Sequence, residues 1–190
     1  MQLEEQIIQE IKEWSAHALE QPSEYFADMP PCPFAKRAWA DNKVTISFKY
    51  DGHMQDLYSA ISQFEDEFDL HIIVDLAFEE DPEEFQDYLY QINEAISDGL
   101  FIDKDIWLMG FHPHDEPNEL IDDQSFTPLV DMEYAMIFVQ RLTKVQAAAD
   151  KLKAKGYYDK YLGEYDAEHL FQQRRDLYER LMESKNGDET

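Results

Sequence analysis

The stretch His71-Ile72-Ile73-Val74-Asp75-Leu76-Ala77-Phe78 is nearly all apolar, and it runs almost directly into Asp81-Pro82-Glu83-Glu84. A short apolar run of this kind, with no polar alternation, fits a central strand covered on both faces. The four residues that follow form a strong helix start. Asp81 can cap, Pro82 suits the first turn, and Glu84 can reach back as in a capping box. Phe85, Tyr88, Leu89, Ile92 and Ile96 then recur at helical spacing, and Gly99 is expected to end the helix. A buried strand feeding a helix is the basic step of an α/β chain.

The pattern extends in both directions. Upstream, Leu3, Ile7, Ile8, Ile11, Trp14 and Ala18 make one apolar helix face that Pro22 terminates. Val44 to Tyr50 alternates as a half-buried strand, and a helix is expected from about Met54 to Phe68. Downstream, Ile106 to Phe111 reads as a third strand, His112 to Asp131 as a polar loop, and Tyr134 to Val139 as a fourth strand. Helices are expected from about Thr143 to Lys155 and from about Asp166 to Glu183. The order implies an α/β (α+β) fold. Its core is one four-stranded mixed sheet, mostly parallel with the fourth strand antiparallel, carrying helices and a C-terminal helical pair. No repeat or linker divides the chain, so residues 1–183 read as one globular domain and 184–190 as a flexible tail.

Charge is the extreme feature. The 190 residues include 42 acids against 16 Lys and Arg, a net charge of −26. Residues 50–140 hold 24 of the acids and a single base, Lys104. Binding to a phosphate backbone needs Lys and Arg to displace counterions, so the middle of the chain argues against direct nucleic-acid contact. A small molecule or a basic protein is the partner this charge suits, although acidity also serves solubility alone. No apolar run approaches the length of a membrane span. The acidic, amphipathic N-terminus is unlike a secretory signal, and a single cysteine forms no internal disulfide, so a cytoplasmic location is expected.

Cys32 lies in Met29-Pro30-Pro31-Cys32-Pro33-Phe34-Ala35-Lys36-Arg37-Ala38-Trp39. If Phe34 to Trp39 is helical, the dipole, the free N–H groups and the cations Lys36 and Arg37 would favour a thiolate. The alternative is a small buried hydrophobe. Phe111-His112-Pro113-His114-Asp115-Glu116 opens the long loop at a strand end. His112 and His114 could act as bases, or bind a transition metal together with Cys32 or a carboxylate; equally, the proline between them could simply shape a turn. His17, His53, His71 and His169 stand alone and suggest nothing specific. The acidic clusters at 65–67, 79–81 and 122–123 read as solvated surface. No phosphate-binding glycine loop, serine-hydrolase elbow or zinc-protease motif occurs.

Cys32-Pro33-Phe34-Ala35-Lys36, Phe111-His112-Pro113, and Ser125 with Pro128 ahead of a strand ending at Arg141 together resemble a bacterial family of unknown function with Cys-Pro-Phe-Ala-Lys, Phe-His-Pro and Ser-Pro-x-Pro segments. The resemblance spans residues 3–155. Here Ser125-Phe126-Thr127-Pro128 replaces Ser-Pro-x-Pro, and Asp123-Gln124 replaces an Asn-Arg pair. The resemblance brings no activity. It implies that Cys32, His112 and Arg141 form one constellation. Two functions follow as expectations. One is an enzyme, redox or metal-binding protein with Cys32 as nucleophile or ligand, His112 as base or ligand, and His114 and Arg141 in support. The other is an acidic interaction module without catalysis, which binds a basic partner or mimics the phosphate charges of nucleic acid.

Overall fold

The computed structural model describes residues 2–98, 100, 105–122, 124–160 and 168–187. The strands are β1 (Val44–Lys49), β2 (Leu70–Asp75), β3 (Trp107–Phe111) and β4 (Ala135–Gln140). They form one sheet in the order β1-β2-β4-β3. β1 pairs with β2 in parallel, and β4 runs antiparallel to both β2 and β3. The expected mostly parallel sheet is therefore corrected. β4 is the reversed strand, as the lack of a helix between it and β3 suggested, but it inserts between β2 and β3. Only one of the three pairings is left parallel.

Side-chain alternation along β2 and β4 assigns the two faces. Ile72, Val74, Met136 and Phe138 pack against Ile7 and Ile11 of α1 (Leu3–Trp14), joined at the edges by Trp39 of α2 (Ala35–Ala40). Ile73, Ala135, Ile137 and Val139 face Leu57 and Ile61 of α3 (Gln55–Gln63) and Phe85, Leu89 and Ile92 of α4 (Pro82–Ser97). Beyond β3, Leu142 of α5 (Leu142–Lys153) joins Trp107 and, from α6 (Glu168–Gly187), Leu177 and Leu181 in a smaller core.

Local signals explain most element ends. Asp81 caps α4 by accepting from the N–H groups of Glu83 and Glu84 at 2.8 and 3.2 Å, in place of the reciprocal box expected of Glu84. α4 ends at Ser97, and Gly99 lies outside the described residues. α3 stops at Gln63, short of the expected Phe68. α1 passes without a break into a π-helical turn, Ser15–Leu19. α5 is capped from a distance: Asp105 accepts from the Thr143 N–H at 3.0 Å and from its hydroxyl. α6 continues to Gly187, into the expected tail; its expected start at Asp166 is outside the described residues.

The β3 edge is covered. Asn93 of α4 donates to the Leu108 carbonyl at 2.9 Å and accepts from its N–H at 2.8 Å, which satisfies backbone groups that would otherwise invite another strand. Gly110 permits this close approach, because a Cβ there would lie 2.5 Å from both Leu89 and Phe85. At the other side, Lys49 donates to both carboxylate oxygens of Asp75 at 3.0 Å, and the pair is almost wholly buried. Asp75 also accepts from the Ala77 N–H at 3.0 Å. Lys49 and Asp75 are register partners, so the bond fixes the parallel pairing at the ends of β1 and β2. Burial, with smaller effects from Tyr58 and Asp75, pushes the Tyr88 phenol up to about 12.

Removing one partner strands a charge in the interior. Lys49→Met is expected to lower stability by about 3–5 kcal/mol in urea unfolding, and the double variant Lys49→Met/Asp75→Leu by distinctly less.

Candidate functional site

The long connection between β3 and β4 crosses the end of the sheet where β1, β2 and β3 finish, a common place for ligand sites in open α/β sheets. One side chain of α1 holds it there. Glu10, buried, accepts from the N–H groups of Leu129 and Val130 at 2.5 and 2.8 Å and from the Tyr134 hydroxyl at 2.5 Å. Burial first, and this bond second, raise the Tyr134 phenol far above its ordinary value. The loop so held forms one wall of a cleft of about 660 Å³, with Trp14, Pro113, Phe126, Met132 and Glu133 among its lining residues.

A second cavity, of about 730 Å³, lies on the other part of the loop and is lined by His17, Tyr25, Pro31, Glu119, Asp122 and Gln124, among others. His17 stands between the two cavities. Its Nε2 is 2.9 Å from the Ser125 hydroxyl and 3.7 Å from Asp122, and its ring lies 5.8 Å from that of Phe126. It sits in the π-helical turn after α1, the kind of irregularity that recurs at functional sites. Nearby, Ala27 and Asp28 hold left-handed backbone at φ 54° and 58° in the loop that Ser23 and Met29 close. Among the described residues neither cavity has a Lys or Arg in its lining, whereas Asp131, Glu133, Glu119 and Asp122 all contribute to one or the other.

The expected constellation is not brought together. His112 and Arg141 flank opposite ends of the β3–β4 ladder, about 20 Å apart at roughly 3.4 Å per residue. Arg141 is buried and donates to the Phe64 carbonyl at 2.8 Å, pairs with Asp66 at 3.0 Å and stacks 4.2 Å from the Phe64 ring, so it closes the turn after α3. Both nitrogens of His112 are occupied. Nε2 is 2.6 Å from the Glu79 carbonyl, and Nδ1 accepts from the His114 N–H at 3.0 Å. That fixes the tautomer with the proton on Nε2, and the ring is wedged between Phe78 and Phe85. His112 pins two loops and has no free nitrogen with which to act as a base or ligand.

Cys32 differs from expectation in its electrostatics. Its N–H donates to the Leu19 carbonyl at 2.9 Å and its own carbonyl accepts from Ala35 at 3.2 Å. Burial pushes the thiol up; the N–H groups of Phe34 and Ala35 offset this in part, and Glu20 adds to it. Lys36 and Arg37 are exposed, and Arg37 pairs with Asp41 at 3.1 Å. The cations expected to favour a thiolate face solvent. Among the described residues no three His, Cys, Asp or Glu side chains come together to hold a metal ion, so Cys32, His112 and His114 do not assemble as a ligand set.

His114 does reach a candidate cleft. Its Nε2 bonds Glu133 at 2.9 Å and its Nδ1 lies 3.3 Å from the Glu80 carbonyl. Sequence reasoning missed His17, which meets Ser125 only through the fold, and His71, whose two nitrogens bond Thr45 and Ser47 at 2.7 and 2.8 Å. Burial lowers the His71 pKa and so disfavours its charged form.

Comparison of the chain with family models, curated proteins and solved structures finds no match.

Two outcomes are expected. Glu10→Ala leaves two backbone N–H groups and a phenol without their acceptor, at about 1–3 kcal/mol for each group that stays unpaired. Thermal unfolding should register that loss, and amide exchange should speed up at Leu129 and Val130. The Glu133 carboxylate, chiefly, raises the His114 pKa. Protonated His114 therefore favours the folded arrangement below its unfolded pKa, about 6.5, and that contribution is lost as pH rises through the folded value. An NMR titration should place the His114 midpoint above 6.5, and Glu133→Gln should bring it down.

Proposed function

We propose that the protein is an interaction module that captures a Lys- or Arg-rich segment of a basic partner protein in the clefts beside the β3–β4 loop. The observation that carries this reading is the lining. Both cavities combine carboxylates with aromatic rings, and among the described residues neither has a Lys or Arg in its lining. A guanidinium or ammonium group entering the first cleft meets Asp131, Glu133 and Trp14 in its lining, residue types suited to ion pairing and cation–π contact. Exposed Leu129 and Met132 offer apolar contact to the stem of such a side chain. The excess of acids over residues 50–140 adds a long-range field that attracts a basic partner to the molecule.

The reading of Cys32 and His112 as a nucleophile–base or metal pair has less support. Such chemistry asks for a thiol poised to ionise and a histidine with a nitrogen to spare. Cys32 is shifted the other way, and His112 is fully engaged.

Titration with a short peptide of alternating Lys and Ala tests the proposal. Saturable binding is expected, weakening steeply as salt rises from 50 to 300 mM. Asp131→Asn/Glu133→Gln should weaken it at least fivefold, while Glu83→Gln/Glu84→Gln on α4 leaves it unchanged. Equal losses in the two variants would mean diffuse attraction to an acidic surface, and the cleft reading would be abandoned. Affinity should also rise with pH through the His114 titration, because neutral His114 no longer neutralises Glu133.

A further inference from the structure

We propose that the junction of α5 and α6 is a binding site for a small, doubly charged oxyanion of the phosphate class. It is independent of the acidic clefts. Lys153, Arg174 and Arg175 line a cavity of about 110 Å³ in which, among the described residues, Asp150 is the one lining carboxylate. This concentration of cations stands out in a chain with 42 acids. Asp150 is already engaged, accepting from the Gln146 amide at 3.1 Å.

Arg174 is built into the wall. Its Nε donates to Gln146 at 3.4 Å, and its guanidinium stacks 5.0 Å from the ring of Phe171. Phe171 in turn meets Tyr158 edge-on at 4.6 Å. An arginine held this way presents its fork with little freedom left to lose, which is the arrangement that suits a phosphoryl group. Burial chiefly lowers its pKa, a hydrogen bond with Tyr158 and the nearby Asp150 carboxylate offset this in part, and the neighbouring charge of Arg175 adds to it. Lys153 and Arg175 are exposed, and among the described residues neither forms an ion pair or hydrogen bond. They are free to close on a ligand. The cavity has room for about four waters, at roughly 30 Å³ each, enough for one phosphoryl group.

Calorimetry at low ionic strength with inorganic phosphate, phosphoserine and acetate tests this. One saturable site for phosphate is expected, with acetate at least tenfold weaker. Phosphoserine equal to phosphate would mark recognition of the free anion's head alone, and tighter phosphoserine would mark an esterified phosphate as the ligand; both support the site. Lys153→Ala/Arg175→Ala should weaken phosphate at least tenfold with the thermal midpoint unchanged, since neither side chain supports the fold. Absence of saturable binding, acetate as tight as phosphate, or full affinity in the double variant would each overturn the proposal.

Discussion

One carboxylate decides the shape of the working end of this molecule. Glu10 projects from α1 into the interior and takes up two backbone N–H groups and a phenol from the β3–β4 connection. A connection this long is uncommon inside a compact domain, and holding it in one place carries an entropic cost that something must offset. Charge-assisted bonds to a buried carboxylate do so more effectively than neutral ones. They also set the loop at a fixed height above the sheet, and the space left between loop and helix is the cleft. The acid itself is consumed by this role. The carboxylates left for a ligand are those at the rim.

The rest of the fold is arranged so that this end has a firm base. At one edge Asn93 and Gly110 let α4 seal β3. Near the other, the Lys49–Asp75 pair locks the ends of β1 and β2. A buried ion pair contributes little net stability against an apolar replacement, but it tolerates no slip of register, because either charge alone would be stranded. Arg141 does comparable work at the far end of the sheet by gripping the turn after α3. Several of the most chemically suggestive side chains in this chain are therefore joints, and the surfaces left for partners are of two opposite signs.

What was legible in the sequence was local. The apolar run at β2 and the Asp81 cap are each written within a few adjacent residues, and both appear in the structure where those residues point. The reversal of β4 also followed from a local fact, the lack of a helix between it and β3. Its position between β2 and β3 did not, because strand order depends on pairings between distant segments. The site shows the same division. His112 and His114 attract attention by their spacing, yet spacing says nothing of the Glu79 carbonyl that occupies His112. Cys32 has suggestive neighbours in sequence, but burial outweighs them. His17 and Ser125, and Glu10 and Tyr134, meet only once the chain has folded, and no local pattern announces either pair.

The strand order also bears on how the chain comes to be folded. β1 and β2 can pair as soon as both have been synthesised, but β3 pairs with β4, which follows it in the chain. Until that last strand slots in, the central position of the sheet is vacant, and two apolar strands face a gap. Completion thus waits on a non-local step, of the kind that slows folding and leaves strand edges open in the meantime. A ribosome-bound chain interrupted before Ala135 would carry half a sheet and no means of closing it, whereas the finished chain closes it in a single insertion.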